Sequence, residues 1–507
     1  MNETGPPGDV SANRLRRCSA HPPHADGEFV LYWMTAARRL SSNYALQRAL
    51  DWCEHLGKPL LIFEPIGCRA RWSCDRFHRF VLDGMRDQRQ ACLKRDIAYL
   101  PYVEPSPKAA APVIRELAAR AAVIVTDDFP CYIIPDMINA LARQSRVLLE
   151  AVDGNGIWPM RATDQVFPTA YAFRRFLQRE LTPHLTVGPQ DDPFRQRKLQ
   201  PLPAAVWKDV LSFVTPADDT LLAGTPAALA ELPIDHSVGR AAFAGGEAAA
   251  RRVLQTFLTS RLSRYGEHRN DPEEEAASGL SPYLHFGHIG VHQIFQAIVK
   301  GEDWSPAALS QSKSGSRSGW WGMSPNAESF LDELITWREL GYNFCVHRAD
   351  YDQYASLPDW AQKTLEKHAT DPRPVVYTPA ELEAADTHDE LWNAAQRQLV
   401  QEGRMHNYLR MLWGKKVLEW SPSPQQALET LIDLNNKYAV DGRNPNSYSG
   451  ICWTLGRYDR AWGPERPIFG TIRYMSSQNT ARKLDVKGYL ARYGAKTKSR
   501  ALFDADE

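Results

Sequence analysis

The stretch Gly403–Trp420 reads GRMHNYLRMLWGKKVLEW and predicts a single helix. Trp413 and Trp420 are seven residues apart, so they share one helix face and lie about 10 Å apart along its axis. Trp392, in the preceding helical segment, extends the set to three indoles. An aromatic core stripe would explain the spacing by itself. Arg410 on the same helix favours a bound redox-active cofactor, because an inward guanidinium requires an anionic partner or ligand.

The size and composition of the chain indicate a globular protein of at least two domains. Its 507 residues exceed one ordinary domain, and 43% hydrophobic with 24% charged residues is typical of globular proteins. No apolar run approaches the roughly 18 residues that cross a membrane. The eight cysteines lack CxxC spacing, which disfavours a disulfide framework, a metal site or an iron–sulfur cluster. We therefore expect a cytoplasmic protein, nucleoid-associated in a bacterial host. Because 60 basic and 60 acidic residues cancel, a DNA site has to be a local patch.

Residues 28–185 alternate short apolar runs with helical patterns, which predicts an α/β domain. The strand candidates are rich in β-branched or aromatic residues: Phe29–Met34, Pro59–Phe63, Ile97–Val103, Ala122–Thr126 and Val147–Val152. Helical segments lie between them, at Asn43–Leu56, Asp75–Lys94, Pro107–Ala119 and Cys131–Arg143. This alternation predicts a doubly wound, Rossmann-like parallel sheet. No GxGxxG or Walker glycine loop follows the first strand, so the conventional nucleotide fingerprint is missing.

Composition divides the rest of the chain. Residues 1–27 are polar and rich in Pro and Gly, which predicts a disordered tail. Residues 186–245 resemble a long interdomain linker on the surface. The pattern is helical over residues 246–495, with Gly403 ending one helix and Ser423-Pro424 starting another, and residues 496–507 form a second tail.

Residues 305–326 have the composition of an inserted segment. They contain the run SQSKSGSRSGWWGMSPN, whose serines and glycines cannot form a core. Two interpretations stay open. The segment is a flexible surface loop, or Trp320 and Trp321 dock on a partner.

Three acidic or amide side chains extend the candidate site. Asp441 is a candidate partner for Arg410, and Asn435 is placed to donate to a ring nitrogen, although both also occur in ordinary turns. Glu333 and Trp337 stand at i and i+4 of a predicted helix among apolar residues. That setting would raise the pKa of the carboxyl. The alternative is a surface glutamate at the edge of the apolar face.

Two further places have the character of phosphate sites. The turn Ser278–Gly287 offers hydroxyls and amides before a helix, which suits phosphate, but a simple capped helix start has the same residues. The run from Arg473 to Arg500 is basic and carries several aromatic residues. It either contacts DNA phosphates or is solvated.

The second half of the chain strongly resembles the photolyase/cryptochrome family, and within it the class II cyclobutane pyrimidine dimer photolyases. The matching stretches run in order across roughly 250 residues: LSPYLHFGH at 280–288, ELITWRELGYNF at 333–344, THDELWNAAQ at 387–396, MHNYLRMLWGKKVLEW at 405–420, LNNKYAVDGRNPNSY at 434–448 and IRYM at 472–475. The first half matches more weakly, through YWM at 32–34 and VDGNGIWP at 152–159.

The resemblance implies a U-shaped FAD in a helical catalytic domain that follows an antenna domain. The implied FAD contacts are Tyr265, Ser278, Gly279, Leu280, Ser281, Arg338, Asn407, Arg410, Asn435 and Asp441. The implied electron-transfer chain is Trp413, Trp392 and Trp420. Glu333, Trp337, Met411, Trp453, Arg269 and Asn270 would line the lesion pocket, and Arg460, Trp462 and Arg473 would hold the DNA.

The implied activity is light-driven splitting of pyrimidine dimers. The dimer must leave the duplex to be reached, and its damaged stacking lowers the cost of extrusion. Light would excite reduced FAD, FADH⁻, which passes an electron to the dimer. Glu333, if protonated, would hydrogen-bond a thymine carbonyl and stabilise charge that appears only on reduction. We expect a monomer that binds UV-damaged DNA and no membrane.

Departures from the family pattern concern the binding of an antenna chromophore and the contacts with DNA. The acidic positions of the run after the first strand are lost in Ala37–Asn43, and Tyr458 replaces a histidine before Asp459. The antenna chromophore is therefore open between 8-hydroxy-5-deazaflavin, a folate and none.

The main alternative function is a cryptochrome-like blue-light photoreceptor without repair. A (6-4) photolyase is disfavoured because His406-Asn407 replaces its paired histidines, and a dark flavin redox enzyme because no nicotinamide fingerprint appears.

Overall fold

A six-stranded sheet organises the first part of the chain. The computed structural model describes residue 6 and residues 8–495. The strand order is β1-β6-β5-β2-β3-β4, parallel except that β1 pairs antiparallel with β6, where Leu15 lies opposite Val152. The strands are β1 Leu15–Arg17, β2 Phe29–Trp33, β3 Leu60–Ile66, β4 Ala98–Val103, β5 Ala121–Asp127 and β6 Leu149–Val152.

Helices cover both faces of this sheet, so the predicted doubly wound α/β fold is confirmed. Every residue of β2 and β5 is buried, which is why these strands consist of unbroken apolar runs rather than alternating ones. The helices of this part are α1 Tyr44–Leu56, α2 Asp75–Leu93, α3 Ala110–Arg120, α4 Ile134–Gln144 and α5 Ala170–Glu180.

The predicted disordered tail over residues 1–27 is wrong for the described part of that range. Strand β1 completes the edge of the sheet against β6. The buried guanidinium of Arg14 donates to the carbonyl oxygens of Asp153, Gly156 and Ile157 at 2.7–3.2 Å. A three-residue strand carries too little pattern to be recognised, and its order comes from the distant edge that it covers. Residues 1–5 and 7 lie outside the described residues.

The predicted linker, residues 186–245, contains short helices that close the surface of the first part. They are α6 Ala204–Phe213, α7 Asp219–Ala223 and α8 Pro226–Leu229. Val210 joins the core on one face of the sheet. Leu222 and Leu229 form a small cluster with residues of α2. The linker is therefore part of the packing and not only a connection.

The remaining described residues are helical, as predicted. They form α9 Glu247–Thr256, α10 Tyr265–His268, α11 Ser281–His285, α12 Val291–Gly301, α13 Pro325–Leu331, α14 Arg338–His347, α15 Asp359–Lys367, α16 Pro379–Glu383, α17 Glu390–Glu402, α18 Asn407–Trp420, α19 Pro424–Tyr438, α20 Pro445–Thr454, α21 Ser477–Lys483 and α22 Lys487–Tyr493. Gly403 ends α17 with φ 77°, and the Ser423 side chain caps α19. The second predicted tail, 496–507, lies outside the described residues.

Two π-helical turns interrupt the helical part, at Phe257–Arg261 and Asp332–Trp337. Such turns occur often at functional sites. The second one leads directly into α14, whose Glu339 accepts hydrogen bonds from the backbone N–H groups of Ile157 and Trp158 at 2.7 and 3.0 Å. The two hydrogen bonds of Glu339 connect the helical part to the sheet domain. Burial raises the pKa of this carboxyl to about 7. Among the described residues, none of the helices has the length and apolar character required to cross a membrane.

The segment 305–326 differs from both interpretations that its composition left open. Trp320 and Trp321 are buried, 4% and 7% exposed, and belong to the main core. The Trp304 indole donates to the Trp321 carbonyl at 2.5 Å. The tryptophans therefore anchor the segment inside its own protein and cannot dock on a partner, while most serines of the segment stay exposed.

Candidate functional site

The predicted indoles form one contiguous row. Trp392 lies between the other two: its ring is stacked on Trp413 with centroids 6.5 Å apart, and its centroid is 5.5 Å from that of Trp420. The Trp392 indole donates to the Trp413 carbonyl at 3.0 Å, and the Trp413 indole donates to Gln396 at 2.9 Å. All three are buried. These are the separations of interacting aromatic pairs, so the rings make an unbroken path along α17 and α18.

Arg410 and Asp441 pair as predicted from their chemistry. One guanidinium nitrogen lies 3.2 Å from the Asp441 carboxylate, and the Ser281 hydroxyl donates to the other carboxylate oxygen at 2.6 Å. Burial opposes ionisation of Asp441, but Arg410 and Ser281 outweigh it and lower the pKa of this carboxyl below its ordinary value. Three chain segments far apart in sequence therefore meet around one charge pair.

The remaining FAD residues implied by the resemblance divide into two groups. Ser278 and Gly279 are partly buried and Leu280 is buried in the loop before Ser281, with Gly279 at φ 72°. Asn435 is buried on α19, the helix that leads to Asp441. Asn407 is exposed at the start of α18. Arg338 is engaged elsewhere: it donates to the Asn155 carbonyl at 2.5 Å and to the Tyr342 hydroxyl at 3.1 Å.

His406, one helical turn before Arg410 at the start of α18, supplies a test of whether a cofactor fits there. Both of its ring nitrogens are buried without a hydrogen-bond partner among the described residues, and burial lowers its pKa to about 4. Buried polar atoms are normally satisfied. A polar dinucleotide would meet hydroxyl, guanidinium, amide and imidazole groups here, so the residues present fit FAD.

Glu333 lies in a different setting from the predicted one. Its carboxylate is 2.5 Å from the Arg269 guanidinium, and its side chain is 32% exposed. Glu333 and Trp337 both lie in the π-helical turn Asp332–Trp337 rather than in an α-helix. A charged partner, rather than apolar rings, dominates the surroundings of this carboxyl.

Tyr265 joins this pair and not the group around Arg410. The Arg269 guanidinium lies 5.6 Å from the centroid of its ring, and Phe257 and Phe330 pack against it. Burial, together with the nearby Glu333 carboxylate, raises the pKa of Tyr265 to about 12. Asn270 follows Arg269 and is partly buried.

The predicted DNA-contacting residues come together around one indole. The guanidinium groups of Arg460 and Arg473 lie 4.4 and 4.2 Å from the Trp462 ring centroid. The Trp462 indole donates to Asp459 at 3.0 Å. Arg473 is also 5.9 Å from the centroid of Trp453, which links this cluster to one of the residues predicted for the lesion pocket. Trp337, Met411 and Trp453 are all partly buried.

Sequence reasoning missed Lys415, which lies under Trp453. Its ammonium donates to the Thr454 carbonyl at 2.7 Å and lies 4.9 Å from the Trp453 ring centroid. The residue is 0% exposed, and burial lowers its pKa to about 7 although Asp459 favours the charged form. Nothing in the sequence marked it, because α18 also carries Asn407, Arg410, Lys416 and Glu419, and it is the packing around the helix that buries Lys415.

Lys415→Met should change the dependence of stability on pH. With a folded pKa of about 7 against an ordinary value of 10.5, the unfolded chain binds more protons between these values, so the penalty for burying the charge is full below pH 7 and fades as the pH rises. The variant's free energy of unfolding, relative to the parent, should be more favourable at pH 6 than at pH 10 by a few kcal/mol, on the order of 1.4 kcal/mol per pH unit. Denaturant unfolding at several pH values measures it, and a difference independent of pH would contradict the burial argument.

A crevice lies between the sheet and the helical part, at the strand ends where a ligand of an α/β domain is expected, and Asp127 in it is a second unpredicted feature. It lies at the carboxyl ends of β2 and β5 and is lined by residues that include Arg39, Asn43, His285 and Arg338. The strand order reverses at these strands, which is where open α/β sheets bind ligands. However, the Asp127 carboxylate accepts from the N–H groups of residues 35–37 at 2.7–3.0 Å. The protein's own carboxylate therefore fills the cradle that a phosphate would use.

Known proteins of similar sequence match this chain over nearly its whole length. Deoxyribodipyrimidine photo-lyase from Methanothermobacter thermautotrophicus is 34% identical over 95% of this chain and 98% of its own length. The rice and Potorous tridactylus proteins of the same name are each 33% identical, over 91% and 90% of this chain and 87% and 79% of theirs. No protein-family model matches the chain.

Two solved structures share the fold. A class III photolyase from Agrobacterium tumefaciens has a TM-score of 0.59 at 18% identity, over 92% of this chain and 86% of its own. A Synechocystis cryptochrome has a TM-score of 0.61 at 16% identity, over 92% and 88%. The solved structures share the fold of the sheet domain and of the helical part, and the sequence identities extend over nearly the full length. Both findings indicate the same family. The chain belongs to the deoxyribodipyrimidine photo-lyases of the photolyase/cryptochrome family.

Proposed function

We propose that this protein is a light-driven DNA repair lyase of the class II type, which splits cyclobutane pyrimidine dimers by electron transfer from reduced FAD. The observation that carries the proposal is the 33–34% identity, across at least 90% of the chain, to proteins named deoxyribodipyrimidine photo-lyase. UV-damaged DNA is then the partner.

The family binds FAD, and we assign its binding here to the group around Arg410. Arg410 and Asp441 would hold the charge of the reduced ring, Asn435 would donate to it, and Ser278, Ser281 and His406 would contact the rest of the molecule. Reduced FAD supplies an electron when it absorbs blue or near-UV light. The row Trp413, Trp392 and Trp420, with its centroid separations of 6.5 and 5.5 Å, would carry electrons towards the site and keep the cofactor reduced.

Residues of four segments would bind the extruded dimer: the π-helical turn, helices α18 and α20, and the two residues that follow α10. Trp337, Met411 and Trp453 would offer apolar walls, since a base taken out of the stack is held by aromatic and apolar contacts. Arg269 and Asn270 would donate to thymine carbonyls and stabilise the negative charge that develops on reduction. Glu333 would orient the Arg269 guanidinium through their 2.5 Å contact.

Glu333→Gln should lower the repair yield without changing flavin absorbance. The amide cannot hold Arg269 as an ionised carboxylate does, and the loss of one charge-assisted hydrogen bond, worth about 1.5–3 kcal/mol, corresponds to roughly tenfold or more. Dimer loss per absorbed photon measures the effect. Glu231→Gln, at an exposed glutamate, is the control. A yield equal to that of the control would remove Glu333 from the mechanism.

One assay tests the proposed function itself. The reduced protein is illuminated with dimer-containing single- and double-stranded DNA, and dimers are counted before and after, with dark samples and (6-4) photoproduct DNA in parallel. Light-dependent loss of pyrimidine dimers alone is expected. Bound reduced FAD without any such loss would support the photoreceptor alternative instead.

An antenna chromophore, if the protein carries one, would lie in the crevice at the ends of β2 and β5. Because the Asp127 carboxylate fills the backbone cradle there, the carboxylates of a folate would meet a like charge. We therefore favour 8-hydroxy-5-deazaflavin over a folate as the chromophore for this crevice.

A further inference from the structure

The segment 305–326, hereafter the inserted segment, is basic where it is exposed. No acidic residue occurs between Asp303 and Glu328, although the whole chain has a formal net charge of zero. Lys313 and Arg317 are exposed among exposed serines. Neither residue forms an ion pair with any described residue. The two cations therefore face solvent without internal compensation.

The inserted segment is held in a defined position. The Gly315 N–H donates to the Gln178 side chain at 2.7 Å, and that side chain donates back to the Ser316 carbonyl at 2.9 Å. At its far end, the buried Glu328 carboxylate accepts from the Gly322 N–H at 2.9 Å and from the Gly319 N–H. With the anchoring tryptophans, these bonds fix the backbone on both sides of Lys313 and Arg317, so presenting the two cations requires little further ordering.

The inserted segment adjoins helix α5 and thereby extends a basic surface. A Cβ at Gly315 would lie 3.0 Å from the Tyr171 ring and 3.1 Å from the Arg175 side chain. Tyr171 is 56% exposed, and Arg175 and Arg179 are exposed on the same helix. One surface therefore gathers four exposed cations and an aromatic ring from two separate parts of the chain.

Two contacts join this surface to segments that carry residues proposed to handle the dimer. Arg174 of α5 makes a bidentate pair with Asp332 at 2.6 and 2.8 Å, next to Glu333, and also donates to the Gly315 carbonyl at 3.5 Å. Thr169, at the start of α5, forms a β-bridge with Tyr458, just before the Arg460 cluster. Helix α5 is thus anchored next to the turn that carries Glu333 and next to the loop that leads to Arg460.

The Asn326 side chain adds a contact on the other flank. It accepts from the Gly266 N–H at 2.7 Å and donates to the Ser263 carbonyl at 2.6 Å. Residues 263–266 lead into α10, which directly precedes Arg269 and Asn270. The inserted segment therefore borders the proposed dimer-binding residues.

We propose that the inserted segment and the exposed face of α5 bind the phosphate backbone of the duplex that flanks the dimer. This inference rests on the proposed function. Uncompensated Lys and Arg side chains, with serine hydroxyls beside them, are the usual partners of DNA phosphates, and each phosphate neutralised releases counterions. These contacts would extend DNA binding along the duplex. They would neither read the base sequence nor contact the lesion.

The test uses the full chain and two DNA substrates of different reach. Affinity is measured over a range of salt concentrations for K313A/R317A and for the parent protein. On a dimer-containing duplex of about two helical turns, the variant should bind several-fold more weakly at low salt. The slope of log K against log salt should fall by about 1.8, because each of the two phosphates that the variant leaves unneutralised accounts for roughly 0.9 of the slope. On a dimer-containing single strand of about five nucleotides, which lacks the flanking duplex, the two proteins should bind equally.

Two control variants separate charge at this surface from other effects. K94A/R146A removes two exposed cations at the amino end of the sheet and should leave the slope unchanged, whereas K313R/R317K keeps the charges and should behave as the parent. An unchanged slope for K313A/R317A, or an equal decrease of affinity on both substrates, would overturn the proposal. Failure of the parent to bind either substrate would instead count against the proposed function.

Discussion

Replacing Trp392 by phenylalanine is expected to bring light-driven reduction of oxidised FAD down to its background rate. Trp392 is the middle indole of the row, stacked on Trp413 and in edge contact with Trp420. Phenylalanine keeps the residue apolar but is much harder to oxidise than an indole, so the row is interrupted at its centre. Repair by chemically reduced protein should continue, because this step needs no electron from the row.

The measurement is the absorbance of bound flavin during illumination with an external reductant, paired with a repair assay on pre-reduced protein. Trp207→Phe is a matched control, since Trp207 is a partly buried indole of α6 beside the sheet. Photoreduction as fast in the Trp392 variant as in the control would mean that the indoles are a core stripe and not a path.

Asp441→Asn is expected to weaken flavin binding by about tenfold to a hundredfold. The carboxylate pairs with Arg410 at 3.2 Å and accepts from Ser281 at 2.6 Å. Removing one member of a largely buried, hydrogen-bonded charge pair costs about 2–3 kcal/mol, and every 1.4 kcal/mol is tenfold in affinity. Arg410 would also lose the partner that fixes it.

Equilibrium titration of apoprotein with FAD measures this effect. Asp433→Asn is the control, because it breaks the exposed pair with Arg71, and exposed pairs are worth little. The stability that the Asp441 carboxyl contributes to the folded protein depends on pH in a defined direction. A carboxyl whose folded pKa is depressed below 3.8 contributes its full stability above that value and loses it as the pH falls through the folded pKa. Equal affinity in the two variants would remove Asp441 from the flavin site.

The fold could be predicted where local pattern and burial agree. The five predicted strands are present because buried parallel strands consist of continuous apolar runs. Strand β1 was missed because its order depends on the pairing of Leu15 with Val152 and of Arg14 with Asp153, each across more than a hundred residues. The same holds for the tryptophans of the inserted segment, whose serine-rich surroundings hide that the indoles are buried.

The site could be predicted where a motif fixes the chemistry, and less well where a side chain depends on partners distant in the sequence. The indole row and the Arg410–Asp441 pair follow from residues that the sequence singles out. The surroundings of Glu333 do not, because its partner Arg269 is 64 residues away in the sequence and is brought close only by the tertiary structure. Lys415 and Asp127 depend on partners brought close only by the tertiary structure.

The lifetime of the excited state of bound reduced flavin is the most direct test of electron transfer from this site to an extruded dimer. We expect dimer-containing DNA to shorten this lifetime and undamaged DNA of the same sequence to leave it unchanged, with recovery of intact pyrimidines in the same sample. An unchanged lifetime in a complex shown to be bound to dimer-containing DNA would contradict electron transfer from this site.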